Sequence, residues 1–485
     1  MKKIISYYSH IEVYPYEKGE EPHLEKSLEV FDWVSRKVKL KCYEVEGDKL
    51  LLPRSTSITM LQCLFHCQLE KDNSMFQIKP ALFQLKTKPR DERQFKALRF
   101  LAGVREYSKI QYSSRKNLEL DTGIGKTYCA IASVWHFKQT AVIVVHLNKL
   151  IKQWKNKILE YTDITEKEIC ILKGRNNINK ILSGKDKNNY KFYIISHSTI
   201  RSYCKVTGWN KLQNVFEKMG IGIMIYDEAH LEFKNIIKID LYTNIRRKFY
   251  LTATAGRSDK GENALYNRVL GAAPTLKIKL EQHERKNNSL VLKIDSKPTN
   301  IEEKNIYTLR GLNSTKYLRY LFSPKAKMEL DIVITLVLNI VKDIEGQYVI
   351  LVGLKENTLI MKEFIEEKFP QWKDNVGIID SDIDEKAQED EEKKKIIITT
   401  FGSFGTGVDR DTINVIIMLE PYSSEIICRQ LIGRLRNKGV YIEILDKGIR
   451  KRETEQFEKV KDIISECSKK VIIEEIENTT FGLSE

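Results

Sequence analysis

Several classes are closed to this sequence by what it lacks. None of its apolar runs approaches the ~20 residues needed to cross a bilayer as a helix, so no membrane association is expected. Its eight cysteines (Cys42, Cys63, Cys67, Cys129, Cys170, Cys204, Cys428 and Cys467) are scattered, with no C-x-x-C pair and no signal peptide. A disulfide scaffold is therefore not expected, and a reducing, cytoplasmic setting is. The run Cys63-Leu64-Phe65-His66-Cys67 resembles half of a metal site, but the spacing puts both thiols on one face of a short apolar helix. No second half is visible, and core cysteine is the expectation. Negative charge is also in deficit. Asp and Glu number 66 against 81 Lys and Arg, for a formal charge of +15, which points to an anionic partner, nucleic acid ahead of a membrane surface.

What is present is enough apolar material for extended cores, 42% of 485 residues, and a length that suggests about three domains. The most informative stretch is Thr122-Gly123-Ile124-Gly125-Lys126-Thr127. It lies where a strand-like run, Asn117 to Leu120, gives way to a helical pattern beginning at Tyr128. Glycines there let successive N–H groups converge on a phosphate, and the following helix adds its positive end. Lys126 can reach the β/γ oxygens, and Thr127 can offer a hydroxyl to Mg²⁺. Leu120 stands where the eight-residue pattern usually begins with glycine or alanine.

Upstream, residues 1–85 carry no nucleotide signature and read as a small accessory domain, with a hairpin of Leu40–Val45 and Lys49–Leu52 around Glu46-Gly47-Asp48 and a helical stretch from Pro53 through Leu64. Residues 86–285 alternate strand, loop and helix, the pattern of a parallel sheet covered on both faces. Five strand-like runs (Asn117–Leu120, Ala141–Val145, Phe192–Ile195, Ile221–Tyr226, Lys248–Leu251) each end in a polar cluster, and ligands of such sheets bind at those ends. Residues 286–450 repeat the pattern with Tyr348–Val352, Lys395–Ile398, Val415–Leu419 and Tyr441–Leu445. The charged run Asp380 to Lys395 reads as a solvated helix face or loop. Residues 451–485 read as a helical tail, with Phe457, Val460, Ile463 and Ile464 at helical spacing.

A second nucleotide motif is expected after a later strand of the same sheet, and Asp227-Glu228-Ala229-His230 supplies it. Asp227 would hold Mg²⁺ and Glu228 would polarise the attacking water. From Lys88 to Leu445 the chain resembles superfamily 2 helicases and translocases of the DEAH-box type. Within them it is most similar to the DNA-directed branch of excision-repair helicases, phage recombination helicases and large-virus helicases, which also raises the expectation of a viral or phage protein acting in a host cell. The resemblance implies two tandem RecA-like parallel-sheet domains of α/β class. It assigns adenine reading to Gln94, strand grasping to Leu150–Trp154 and to His197–Thr199, and coupling of hydrolysis to movement to Thr252-Ala253-Thr254.

In the second domain, Thr399-Thr400 and Gly405-Thr406-Gly407-Val408-Asp409 resemble the motif that touches nucleic acid and ATP, so Gly407 and Asp409 are carried over as nucleotide contacts. Gln430 to Arg436 resembles the arginine-finger motif. The usual second arginine falls at the place of Asn437, and Arg436 comes one earlier, which leaves Arg434 and Arg436 both as candidates. The implied activity is ATP- and Mg²⁺-dependent movement along DNA, or its remodelling, with DNA more strongly indicated than RNA. The alternatives are an RNA-directed helicase or transcript-release factor, or a translocating subunit of a larger nucleic-acid complex with protein partners.

Overall fold

The computed structural model describes residues 2–476 other than 18, 20–23, 25–26, 34, 73–75, 105–113, 187, 254–255, 257–258, 297, 309–310, 381–384, 405–411, 420–424, 436–437 and 450–459. The chain forms two compact units, Met1–Lys279 and Leu280–Glu485. Unbroken apolar runs such as Ala141–Val145, buried at every position, dictate the centre of the first unit, because strands covered on both faces have no polar side to present. Its seven-stranded sheet runs in the order Ile169–Leu172, Phe192–Ser196, Ala141–Val145, Ile223–Tyr226, Arg247–Thr252, Arg115–Leu120, Thr275–Ile278. Every neighbouring pair is parallel. The five expected strands form its interior, and the two edge strands were not anticipated. Thr275–Ile278 is exposed at two of its four positions and so lacks the unbroken apolar signature.

The N-terminal region builds a second, mixed sheet in the order Glu44–Glu46, Lys49–Pro53, His10–Tyr14, Lys3–Ser6, Gln68–Lys71. The expected turn at Gly47-Asp48 is present, but it joins Glu44–Glu46 to Lys49–Pro53, and Leu40 belongs to a separate hairpin of Glu29–Asp32 and Lys37–Lys41. The helix after it starts at Ile58, capped by the Ser57 side chain, and ends at Phe65 with His66 in left-handed conformation. Cys67 thus lies beyond the helix, and Cys63 is exposed. Cys67 packs half-buried against the core, whereas Cys63 is not the core cysteine the sequence suggested. This region packs directly against the parallel-sheet layer. Leu50, Leu52 and Leu61 share one apolar core with Phe233, Ile236 and Tyr266 of the parallel-sheet layer, and Ser114 Oγ donates to Tyr8 O at 2.6 Å.

The second unit is another all-parallel, seven-stranded sheet, ordered Val376–Ile379, Ile396–Thr399, Gln347–Leu351, Ile413–Met418, Val440–Asp446, Asn288–Ile294, Lys470–Glu475. The two sheets match the expected pair of RecA-like domains. The charged run contains the helix Glu385–Glu391. The tail departs from expectation. After a helical stretch in which Val460, Ile463 and Ile464 are buried, Lys470–Glu475 becomes a strand parallel to Asn288–Ile294. Its alternation is too shallow to read in advance, because an edge strand buries little of either face.

Polar groups inside the first core are few and tightly paired. The rings of His197, Tyr226 and Tyr250 stack in a column, with centroids 6.1 and 5.3 Å apart. Asp240 accepts from Tyr226 Oη at 2.7 Å, Tyr250 Oη at 2.5 Å and Lys248 Nζ at 2.6 Å. Lys248 is fully buried, so removing its counter-charge leaves a cation with no solvent. Asp240→Ala is therefore expected to cost about 3–5 kcal/mol of stability, read as a shift in the urea midpoint; a variant as stable as the parent would refute the role of the pair.

His197 is also fully buried, and among the described residues neither ring nitrogen finds a hydrogen-bond partner. Burial, with help from His146 and Arg201, holds its pKa down at about 3, against ~6.5 for an unfolded histidine. As acid is added the unfolded chain takes the proton first. Its contribution to stability is thus complete above ~6.5 and is lost as pH falls toward the folded value, by up to about 1.4 kcal/mol per pH unit. His197→Phe is expected to flatten the pH dependence of unfolding between about pH 6.5 and 4 in denaturant titrations, and an unchanged slope would rule His197 out as its source.

Candidate active site

The strand Arg115–Leu120 delivers the glycine loop to the carboxyl edge of the first sheet. Gly123 and Gly125 adopt φ of 89° and 108°, a region that side chains with a Cβ enter only with strain. Ile124 N–H donates to Asp121 O at 3.2 Å and closes the turn. The helix Lys126–Phe137 then begins at Gly125, with no side chain capping its first turn. Uncapped first-turn amides at a helix N-terminus are a ready anion site. Lys126 Nζ donates to Leu120 O at 3.1 Å, and Thr127 sits in the first helical turn. Thr122 and Ile124 frame the same loop, Ile124 fully buried beneath it.

Gln94, expected to read adenine, bonds the loop itself. Its Nε2 donates to Ile124 O at 2.7 Å, its Oε1 accepts from Arg90 N at 2.8 Å, and it is buried. A Cβ at Gly125 would come within 2.3 Å of that Nε2, so close approach as well as positive φ requires glycine there. Arg90 adds a bond from Nη2 to Gly123 O at 3.0 Å. Two side chains just upstream of the helix Glu92–Ala102 and within it thus hold the loop from behind. Arg90 was not anticipated; its place four residues before Gln94 was the available signal.

Two acids stand on the loop after Ile223–Tyr226, one strand further along the sheet. Asp227 N–H donates to Val144 O at 3.0 Å, which continues the ladder past the end of Ile223–Tyr226. One carboxylate oxygen accepts from Trp154 Nε1 at 2.8 Å and the other from Glu228 N at 3.1 Å. Burial, then the neighbouring Glu228, pushes the Asp227 pKa up to about 6, while the Trp154 bond and the Lys126 charge pull it down. The carboxylate therefore lies within the field of Lys126. Glu228 has φ of 45°, a left-handed backbone costing on the order of 1–2 kcal/mol in a non-glycine residue. Its Oε2 lies 3.5 Å from His230 Nδ1, which bonds Thr252 Oγ1 at 2.8 Å.

Trp154 is the residue whose role the sequence hid. Leu150, Ile151, Trp154 and Ile158 share the buried face of the helix Lys149–Tyr161, so the tryptophan reads as core. The helix carrying the expected strand-grasping motif is thereby bonded to the expected metal ligand. Ser198 and Thr199 are tied to the Ser196 hydroxyl at 2.8 and 3.0 Å, as the cap of the next helix, and His197 lies in the core rather than at a nucleic-acid surface.

In the second unit the Arg434 guanidinium lies 5.2 Å from the centre of the Phe404 ring, and Thr400 Oγ1 bonds Ser403 Oγ at 3.3 Å. Thr254, Gly407, Asp409 and Arg436 fall outside the described residues. Among those described, no cluster of three or more His, Cys, Asp or Glu could hold a metal ion. Thr127 and Asp227 are nevertheless a chemically suitable pair for Mg²⁺, which takes one or two protein oxygens and fills its shell with phosphate and water.

Residues 86–257 match the family described as "Type III restriction enzyme, res subunit". The chain is 26% identical over 336 residues to a putative helicase, 161L, of Invertebrate iridescent virus 6, across 65% of this chain and 68% of that protein. It is 28% identical over 155 residues to the DNA 3'-5' helicase XPB of Kineococcus radiotolerans, and there it spans only a quarter of the relative's length. Among solved structures, Saccharomyces cerevisiae Dbp5 bound to RNA and ADP BeF3 superposes with a TM-score of 0.54 at 14% identity, over 81% of this chain and 90% of that one, a likeness of fold. Motif order, paired parallel sheets and these relatives agree: the chain is similar to known helicases, and its residues 86–257 match the res-subunit type of domain.

Proposed function

We propose that the protein is an ATP-driven DNA helicase or translocase acting inside the cell, with DNA rather than RNA as its track. The observation that carries this reading is the convergence of Lys126, Asp227 and Glu228 at one sheet edge, beside an uncapped helix N-terminus. The amides of Gly123 to Thr127 cradle the β- and γ-phosphates, and Lys126 leaves Leu120 O to neutralise their charge. Thr127 and Asp227 hold Mg²⁺, which when bound withdraws charge from the phosphates. Glu228 orients the attacking water and takes up its proton. Arg434 and Arg436 are assigned to the charge that develops on the transferred phosphoryl group.

The DNA assignment is supported by the surplus of 81 basic over 66 acidic residues and by the relatives named as DNA helicases. Contacts chiefly to phosphates would make binding sequence-tolerant and strongly salt-dependent. No described helix is long and apolar enough to cross a membrane.

Lys126→Ala is expected to lower ATP turnover at least ~100-fold, as loss of a preorganised charge contact does, and undiminished turnover would remove the central assignment. Arg434→Ala is expected to reduce turnover by up to ~10³- to 10⁵-fold with little change in nucleotide affinity; if only affinity drops, the finger is elsewhere. ATPase rates measured in parallel with single-stranded, duplex and forked DNA and with RNA are expected to rise with DNA. Stimulation by RNA alone would replace the proposal with the RNA-directed alternative.

A further inference from the structure

The hairpin of Glu29–Asp32 and Lys37–Lys41 stands apart from the five-stranded sheet and presents apolar side chains to water. Trp33 at its tip is 82% exposed, the most exposed large apolar side chain among the described residues, and Phe31 and Val38 are 42% and 45% exposed. An irregularity in the pairing makes this possible. Val38 and Leu40 are two residues apart and would share a face of a regular strand, yet Val30 pairs with Leu40 and Phe31 with Val38 across a register shift. Leu40 is buried while Val38 faces out, as a bulge allows.

The inner side is anchored. Lys39 Nζ reaches Asp259 and Glu262 at 2.9 Å each, and a Cβ at Gly261 would meet Val30 at 3.2 Å. These contacts are to the helix Lys260–Val269 and its capping residue Asp259, which follow the strand ending at Thr252. At the tip, Ser35 Oγ donates to Asp32 Oδ2 at 2.8 Å, and the Trp33 and Phe31 rings meet edge to face at 5.0 Å. Arg36 and Lys37 beside them are exposed. An aromatic pair exposed to water and bordered by cations matches one class of ligand well. Unpaired bases offer flat π faces to the rings and phosphates to the cations, whereas bases in a duplex are already stacked on one another.

We propose that this hairpin is a stacking platform for unpaired bases of single-stranded DNA. The proposal rests on the nucleic-acid reading above and adds a site to it. The charge complementarity of Arg36 and Lys37 favours a polyanion over a second apolar protein surface.

The test is a fluorescence-anisotropy titration of a labelled oligo-dT strand with the full chain, its Trp33→Ala and Trp33→Phe variants, and the double variant Arg36→Glu, Lys37→Glu. Stacking worth ~1–3 kcal/mol per base corresponds to a roughly 5- to 150-fold weaker Kd for Trp33→Ala. Trp33→Phe is expected to keep most of the affinity, and the double variant to bind less tightly with a shallower salt dependence. An unchanged unfolding midpoint is expected for Trp33→Ala, since the side chain is in solvent. If the parent binds oligo-dT and Trp33→Ala binds it equally, the hairpin proposal falls while the motor reading stands. If the parent binds no nucleic acid, both fall. A Trp33→Ala defect confined to an oligo-U strand would overturn the DNA assignment of the hairpin. Loss of self-association with unaltered oligo-dT binding would reassign it to a protein contact.

Discussion

A parallel sheet sends the carboxyl ends of all its strands to one edge, and nearly everything in the first unit depends on that constraint. The strands hold their places through residues with no chemical role of their own, such as Val142 to Val145, which water does not reach. Because that interior is closely packed, a loop hung from one strand has a fixed position relative to the next. Lys126 and Asp227, a hundred residues apart in sequence, come within electrostatic range without any direct bond between them. The hydrophobic effect thus sets the distance at which charges act.

Around this edge a second layer of hydrogen bonds fixes orientation. Trp154 holds one oxygen of Asp227, His230 bonds Thr252 and stands 3.5 Å from Glu228, and Gln94 fastens the glycine loop. Each joins a group assigned to nucleotide chemistry to a different segment: the helix Lys149–Tyr161, the strand Arg247–Thr252 and the helix Glu92–Ala102. A displacement of any of these segments is therefore felt at a phosphate-facing residue. Such bonded links are a physical basis on which an event at one site can bias another.

The legibility of all this in the sequence was uneven for physical reasons. Most interior strands announced themselves, because burial on both faces demands unbroken apolar runs such as Ala141–Val145; Asn288–Ile294, interior but interrupted by Asn288, Ser289 and Lys293, did not. The edge strands Thr275–Ile278 and Lys470–Glu475 did not, since a strand with one neighbour has no such demand, and Ile169–Leu172, though apolar throughout, is only four residues long. The phosphate loop was readable from its glycines because no other residue adopts φ near 100° cheaply. The use of Gln94 was not, because an amide side chain serves a base or a backbone carbonyl equally well and only the fold decides. Trp154 was expected in a strand-grasping motif; it is buried, and its single polar atom bonds Asp227.

The second sheet has an unusual order of assembly built into it. Asn288–Ile294, the first of its strands in the chain, lies between Val440–Asp446 and Lys470–Glu475, which are the last two. During synthesis this strand must wait with both hydrogen-bonding edges open until some 150 to 180 further residues have left the ribosome, at roughly 5–20 residues per second. The first unit, whose strands have all emerged by then, can fold long before it. The nascent chain would thus carry a finished nucleotide-binding lobe ahead of an unfinished one, whose unpaired strand is the segment most in need of a chaperone.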